Sequence, residues 1–451
     1  MNNNLQLIIM NKFYSATIIF VLVLIFRVII INTYQVNKIF PDATGYHTLG
    51  VNLAKGNGLT LQQEKPYEKS YFREPVYPVF LGLCFHAYNF IGEKCNYITD
   101  YDTVTYSYNS TAHPEIVFTK YVQAVIDSLS VVIFYLILLL VIKSSVAAVI
   151  ALLFGFYFPV AIHSTFLLRE TLQLFITLCM TFSFSQYLLK KKGIWLLAFS
   201  GFWALSNLTL QITVVIPFFV FFIVWYFNRS ILKTFSVIIL STIVMFVFIS
   251  PWIMNVYKFY PDIRILKTFG CSLTYEMVSQ QNAVATLERN NKITKETARS
   301  LMEWGVSSHE QFRKSFDGTY KHFTDSVNKL NLKAISFKDR CKTGASNFIS
   351  SWFFSDKGSG TILREFYKSL TLLPSVIIGL FAFIGLLVYF KKIVPILLTF
   401  ICFISLFYII GNESRRMLPA QPFIFLFGCL GMYYSYIRFV LKKNDYYSIL
   451  I

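Results

Sequence analysis

Charge is what this sequence has least of: 14% of its 451 residues are charged, against 55% hydrophobic and 18% aromatic. A soluble domain carries about 25% charge, so a water-exposed globular surface is excluded and the chain reads as a polytopic membrane protein. Short segments of alternating polarity are missing too, which argues against a membrane β-barrel. The seven cysteines include no C-x-x-C pair and no zinc-like spacing. There is no internal repeat and no pair of interrupted helices meeting at the midplane, features that carriers commonly show.

What is present is a series of ten long apolar runs. They predict an all-α polytopic membrane protein with helices at about 13–33, 116–142, 144–161, 167–189, 193–209, 211–228, 233–253, 368–390, 393–411 and 417–440. The first run lacks a small-residue cleavage site before Asn32 and is expected to stay as an anchor. Lys12, Lys143, Lys190 to Lys192, Arg229 with Lys233, Lys391-Lys392 and Lys442-Lys443 form the basic turns. Placing them all in the cytoplasm puts every other loop outside. The count closes only if Val76 to Ile91 does not span, so an interfacial or re-entrant helix is expected there.

Three parts follow: an N-terminal catalytic module over 1–253 with a large first external loop at 34–115, an external helical loop or small domain over 254–367, and C-terminal transmembrane helices over 368–451. The formal charge of +18 sits largely in the cytoplasmic anchors and the second external region, so nucleic acid is not an expected partner. Cys84, Cys95, Cys271 and Cys341 fall on the external side, where a Cys271 to Cys341 bridge and free thiols both fit the sequence. Asn109-Ser110-Thr111 is an external sequon, meaningful only in a eukaryote.

Chemistry is sought on the external side, where ionisable residues sit at helix mouths without serving as anchors. Asp42 follows Pro41 just beyond the first span; it is a candidate base, with an ordinary turn or helix cap as the plainer alternative. Arg73, in Arg73-Glu74-Pro75-Val76-Tyr77-Pro78, either grips a lipid phosphate with its planar fork or snorkels at the interface. Asp127, inside a predicted span, is either functional or a hydrogen-bonded structural residue. His163 is a candidate metal ligand or acceptor contact, against a structural histidine.

In order along the chain stand Asp42-x-x-x-Tyr46, Leu53-Ala54-x-Gly56-x-Gly58, Arg73-x-Pro75-x-Tyr77-Pro78, His163 to Glu170, Pro251-Trp252-Ile253-Met254-Asn255, and Glu413-Ser414-Arg415-Arg416-Met417-Leu418-Pro419 with Pro422. This order resembles the GT-C superfamily of membrane glycosyltransferases, in particular the branch of protein O-mannosyltransferases and lipid A aminoarabinose transferases. The resemblance implies inverting transfer of a sugar from a polyprenyl-phosphate carrier to a glycan, lipid or protein acceptor at the non-cytoplasmic face, in a bacterial inner membrane rather than an endoplasmic reticulum. Asp42 would be the base and Glu170 the second acid; Tyr46, Arg73, Arg169, Asn255, Arg415 and Arg416 would bind the lipid phosphate or sugar. No cofactor is certain, and Asp42, Glu170 and His163 are the candidates for a divalent metal ion.

Two positions depart from the family. Met254 stands where an Arg usually precedes the Asn, and Leu208-Thr209-Leu210-Gln211 replaces an Arg-Pro turn. Arg264, Lys267, Arg169 or Arg416 would have to substitute, or the donor is held differently, or activity is lost. A transporter or flippase of a lipid-linked or anionic substrate and a polysaccharide polymerase or ligase are the rival readings. Residues 271–366 match nothing in the resemblance.

Overall fold

In the computed structural model, every regular element among the described residues is helical. Those residues are 3–35, 37, 39, 41–67, 69–70, 73–92, 94–98, 100, 107–210, 216–259, 288, 294–296, 376–389 and 418–442. The expected helix at 393–411 and nearly all of the external region at 254–367 lie outside them, as do Cys271, Cys341, Arg264, Lys267 and Gln211.

The first anchor is α1 (Asn3–Ile30), which widens into a π-helical turn at Ile31–Gln35. Two helices of the first external loop follow, α2 (Pro41–Ala54) and α3 (Val76–Ile91). Then come α4 (Pro114–Leu138), α5 (Ser144–Gly155), the short α6 (Phe158–Ala161) with a 3-10 turn at Ile162–Thr165, α7 (Glu170–Lys190), α8 (Gly193–Thr209), α9 (Ile216–Asn228) and α10 (Ile231–Phe259). Near the end of the chain, α11 (Val376–Tyr389) and α12 (Gln421–Ser435) are described.

Among the described residues, five segments are long and apolar enough to cross a membrane: Lys12–Thr33, Pro114–Leu138, Glu170–Lys190, Ile231–Lys258 and Leu418–Val440. The span expected at 144–161 is not one straight helix. It breaks between α5 and α6 with a bend of 59°. The chain leaves the helical region at Tyr157 (ψ 104°) and restarts with Pro159 in the first turn of α6, where its missing backbone donor is tolerated; inside one continuous helix it would forfeit a bond.

The 16 residues of α3 make a helix about 24 Å long, short of the roughly 30 Å hydrocarbon core. Its exposed apolar residues Val79, Leu83 and Phe90 recur at helical spacing along one stripe, while Tyr77, Leu81 and Phe85 face inward. That is the pattern of a helix that lies against an apolar surface rather than through it. α2 and α3 pair closely because small residues stand at their contact. A Cβ on Gly50 would come within 2.8 Å of Leu81, and one on Gly82 within 2.8 Å of Leu53.

Three apolar cores hold the molecule. One joins α1, α4, α5, α11 and α12 around Phe134, Phe154 and Phe425. A second packs α7, α8, α9 and α10 around Phe199 and Trp203. The third, under the external loop, gathers Tyr46, Tyr77, Leu81, Phe85 and Ile116 with Leu167 from the turn before α7.

The basic turns double as helix stops. Lys191 at φ 53° and Arg229 at φ 51° end α7 and α9 in left-handed conformations, donating to the Tyr187 carbonyl at 2.8 Å and the Trp225 carbonyl at 2.7 Å. Cations suit these helix C-termini. Lys190 also lies 5.5 Å from the Trp195 ring centroid, and Arg229 lies 4.8 Å from that of Tyr226, pairing charge with aromatics as at a membrane interface.

Buried inside the span region, Arg27 donates from Nε to Asp127 at 2.5 Å and from Nη1 to the Gly155 carbonyl at 2.5 Å. Asp127 therefore has a structural partner, and the pair ties α1 to α4 and α5.

Candidate functional site

The first external loop and the entry to α7 meet at Gln123, a buried side chain of α4. Its Nε2 donates to the Ser164 carbonyl at 3.1 Å and the Phe166 carbonyl at 2.7 Å. Its Oε1 accepts the Tyr77 hydroxyl at 2.7 Å. One amide thus fixes both α3 and the turn that carries Arg169 and Glu170.

Around that junction the charged residues interlock. Arg73 is buried with its guanidinium 4.8 Å from the Tyr46 ring centroid, and Tyr46 meets Tyr77 edge-on at 5.0 Å. Next in the chain, Glu74 forms an ion pair with Arg169. Glu170 opens α7 as the acidic residue of its first turn, where a carboxylate suits the helix N-terminus. Burial, followed by the Glu170 charge, pushes the Tyr77 phenol well above its ordinary range. Two guanidinium groups and two carboxylates therefore share one largely buried junction. Arg73 is not a snorkelling side chain, since burial at this depth keeps its head out of bulk water.

Of the expected site residues, Tyr46, Arg73, Arg169 and Glu170 come together here. Asp42 lies in the first turn of α2, one helical turn before Tyr46; its side chain is outside the described residues. Arg415 and Arg416 lie outside them as well. His163 is buried in the 3-10 turn before α7, with its carbonyl accepting the Thr171 hydroxyl at 3.1 Å and its ring edge-on to Phe166 at 6.0 Å. Asn255 and Met254 are exposed near the end of α10, a helix that packs on α8 and α9.

The Leu53 to Gly58 step turns the chain after α2. Asn52 fastens that turn, donating to the Thr60 carbonyl at 2.8 Å and the Gln62 carbonyl at 3.0 Å while accepting the Tyr97 hydroxyl at 2.8 Å. The sequon residue Asn109 makes a local turn, its Oδ1 accepting the Thr111 hydroxyl at 2.7 Å.

A second cluster was not singled out from the sequence. His47 of α2 and His113 and Glu115 at the start of α4 are all buried. Glu115 Oε1 lies 3.3 Å from His47 Nε2 and 3.1 Å from His113 Nδ1. Asp100 Oδ1 sits 3.4 Å from His113 Nε2, and Asp100 Oδ2 accepts the Asn109 backbone N–H at 2.6 Å. Burial lowers the His47 pKa, with Glu115 opposing. Among the described residues this is the group of His, Cys, Asp or Glu side chains that converges closely enough to share an ion; Glu170 and His163 are not in it. The only sequence signal was His-x-Glu directly at a helix start.

Fold and site together define a helical membrane protein whose loop after the first span is locked onto the entry of α7. No protein-family profile and no curated protein matches the sequence. Among solved structures, the fold is similar to that of the archaeal oligosaccharyltransferase AglB from Archaeoglobus fulgidus, determined in complex with an inhibitory peptide and a dolichol-phosphate. The TM-score is 0.51 at 12% identity, covering 96% of this chain and 52% of that one. The chain therefore spans about half the length of that protein. The likeness is one of fold.

Proposed function

We propose that this protein is a GT-C-type membrane glycosyltransferase with about ten transmembrane helices, moving a sugar from a polyprenyl-phosphate donor to a glycan, lipid or protein acceptor at the non-cytoplasmic face of the membrane. The observation that carries the reading is the junction of Arg73, Tyr46, Arg169 and Glu170 at the mouth of α7, on a fold similar to that of an oligosaccharyltransferase.

In this reading Asp42 takes the proton from the acceptor hydroxyl. The acceptor oxygen forms a bond to the anomeric carbon from the face opposite the phosphate. The bond from that carbon to the phosphate oxygen breaks with its electron pair, inverting the centre. The departing phosphate gains negative charge, which fixed guanidinium groups in a water-poor site stabilise without reorganising. Arg73 is the described candidate, with Arg415 and Arg416 from the last external turn. Arg169 is engaged by Glu74 and acts on the phosphate only by sharing that partner. Glu170 orients the acceptor, and Tyr46 supports both Arg73 and the helix that carries Asp42.

The test uses purified full-length protein in lipid nanodiscs and labelled polyprenyl-phosphate sugars, scored for release of the carrier phosphate and transfer of label. Transfer should be lost in Asp42→Asn. In Arg73→Ala it should fall roughly 10²–10³-fold, the usual cost of removing one transition-state donor. Equal transfer by Asp42→Asn removes Asp42 from the base role, and absence of transfer from a panel of donors favours a transporter.

A further inference from the structure

We propose that His47, His113 and Glu115 form a structural binding site for a divalent transition-metal ion, zinc by ligand chemistry, which clamps α2 and the first external loop to the start of α4. The site is separate from the residues given roles in sugar transfer.

Geometry comes first. A tetrahedral zinc ion holds nitrogen and oxygen ligands at about 2.0–2.2 Å, which places neighbouring ligand atoms roughly 3.4 Å apart. Glu115 Oε1 already stands 3.3 Å from His47 Nε2 and 3.1 Å from His113 Nδ1, and all three ligand atoms lie within 4.8 Å of one another. Two imidazoles and one carboxylate are a common zinc donor set.

A neutral imidazole has one N–H and one lone pair. Asp100, itself held by the Asn109 N–H, faces His113 Nε2 at 3.4 Å and directs that nitrogen's proton toward its carboxylate. Nδ1 then turns a lone pair toward the carboxylate oxygen of Glu115, 3.1 Å away. Two acceptors facing each other in a buried site are satisfied by a metal cation or by a further proton on the imidazole, and the convergence of a third ligand atom, His47 Nε2 at 3.3 Å from the same Glu115 oxygen, points to the metal. A carboxylate on the far nitrogen of a ligating histidine is also the usual outer-shell arrangement at zinc. The three ligands are buried, as expected of a closed structural centre, with one position left for water.

The consequence is mechanical. His47 follows Tyr46 in α2, while His113 and Glu115 stand 66 and 68 positions further along at the entry of α4. An ion there fixes the helix beneath Arg73 to the same helix that presents Gln123.

The experiment uses full-length protein purified with a histidine-free tag and dialysed without chelator. Elemental analysis should find about one zinc per chain, and the zinc-depleted protein should take up cobalt with the visible bands of a four-coordinate centre, a readout that needs no variant. His47→Gln and His113→Gln should lose the bound metal, while Asp100→Asn, which alters only the orienting partner, should weaken affinity about 10–100-fold. Chelation should lower the thermal midpoint of the wild type and leave that of His113→Gln unchanged. Substoichiometric zinc with no cobalt bands in the wild type overturns the proposal and leaves a protonated histidine between two carboxylates. Undiminished metal in both histidine variants overturns it equally.

Discussion

At the scale of single residues, the junction depends on one side chain that no motif contains. Gln123 satisfies two backbone carbonyls and the Tyr77 hydroxyl, all buried. Gln123→Leu strands these groups at a cost of about 1–3 kcal/mol each when left unpaired, so the loss should reach at least about 2 kcal/mol. Thermal unfolding in detergent should show a clearly lowered midpoint, and a wild-type midpoint would mean that water replaces the amide. The external thiols give a cleaner chemical test. Burial pushes Cys84 and Cys95 up to about 12, so roughly one thiol in ten thousand is ionised at pH 8. Both should resist maleimide at that pH in the folded protein and react after denaturation; fast labelling of the native protein would show that the α3 face is open. Arg73 was legible because an ionisable residue at a helix mouth is rare in so apolar a chain, and Tyr46 and Glu170 were legible through the family resemblance. Gln123, His47 and Glu115 were not, because their significance lies in partners 41 to 68 positions away, and local spacing carries no trace of such a pairing.

At the scale of elements, hydropathy marked apolar runs, and five segments among the described residues are long and apolar enough to cross a membrane. The count of basic turns, not hydropathy, set Val76 to Ile91 apart as a helix that does not span, and the structure gives it 16 residues with an apolar outer stripe. The helix expected at 144–161 is bent by 59° in the structure, because α5 ends at Gly155 and the chain is extended at Tyr157 before α6 restarts; summed hydrophobicity carries no sign of such a break. The pairing of Arg27 with Asp127 was missed, since Asp127 was weighed within its own span and Arg27 was not singled out. Their ion pair makes a graded prediction. Arg27→Met leaves Asp127 buried and unpaired at a cost of about 3–5 kcal/mol, whereas Arg27→Met with Asp127→Leu should recover most of that loss, because hydrophobic pairs of similar volume often replace buried ion pairs without penalty. Thermal midpoints of the single and double variants decide between this and a functional Asp127. A double variant that is stable yet inactive in sugar transfer would place the pair in function rather than in packing.

At the scale of the whole molecule, α7 acts as a ruler across the membrane. Its 21 residues separate Glu170 from Lys190 by about 30 Å, the thickness of the hydrocarbon core. The lysine turn after it and the Arg229 turn share the aromatic-flanked basic character of a cytoplasmic interface. The opposite end of α7 meets the first external loop through Gln123 and the pair of Glu74 with Arg169. Everything assigned to chemistry therefore requires that loop and the lysine turn to be on opposite sides. Single cysteines placed at the exposed Lys65 and Lys191, in a cysteine-free background, test this in sealed inverted vesicles with a membrane-impermeant maleimide. The Lys191 position should label at once and the Lys65 position only after the vesicles are opened. Labelling of both before opening would put the lysine turn and the loop in one compartment, and with them the Arg73 junction on the wrong face for a carrier-linked donor; the GT-C reading of the chain would then fail as a whole.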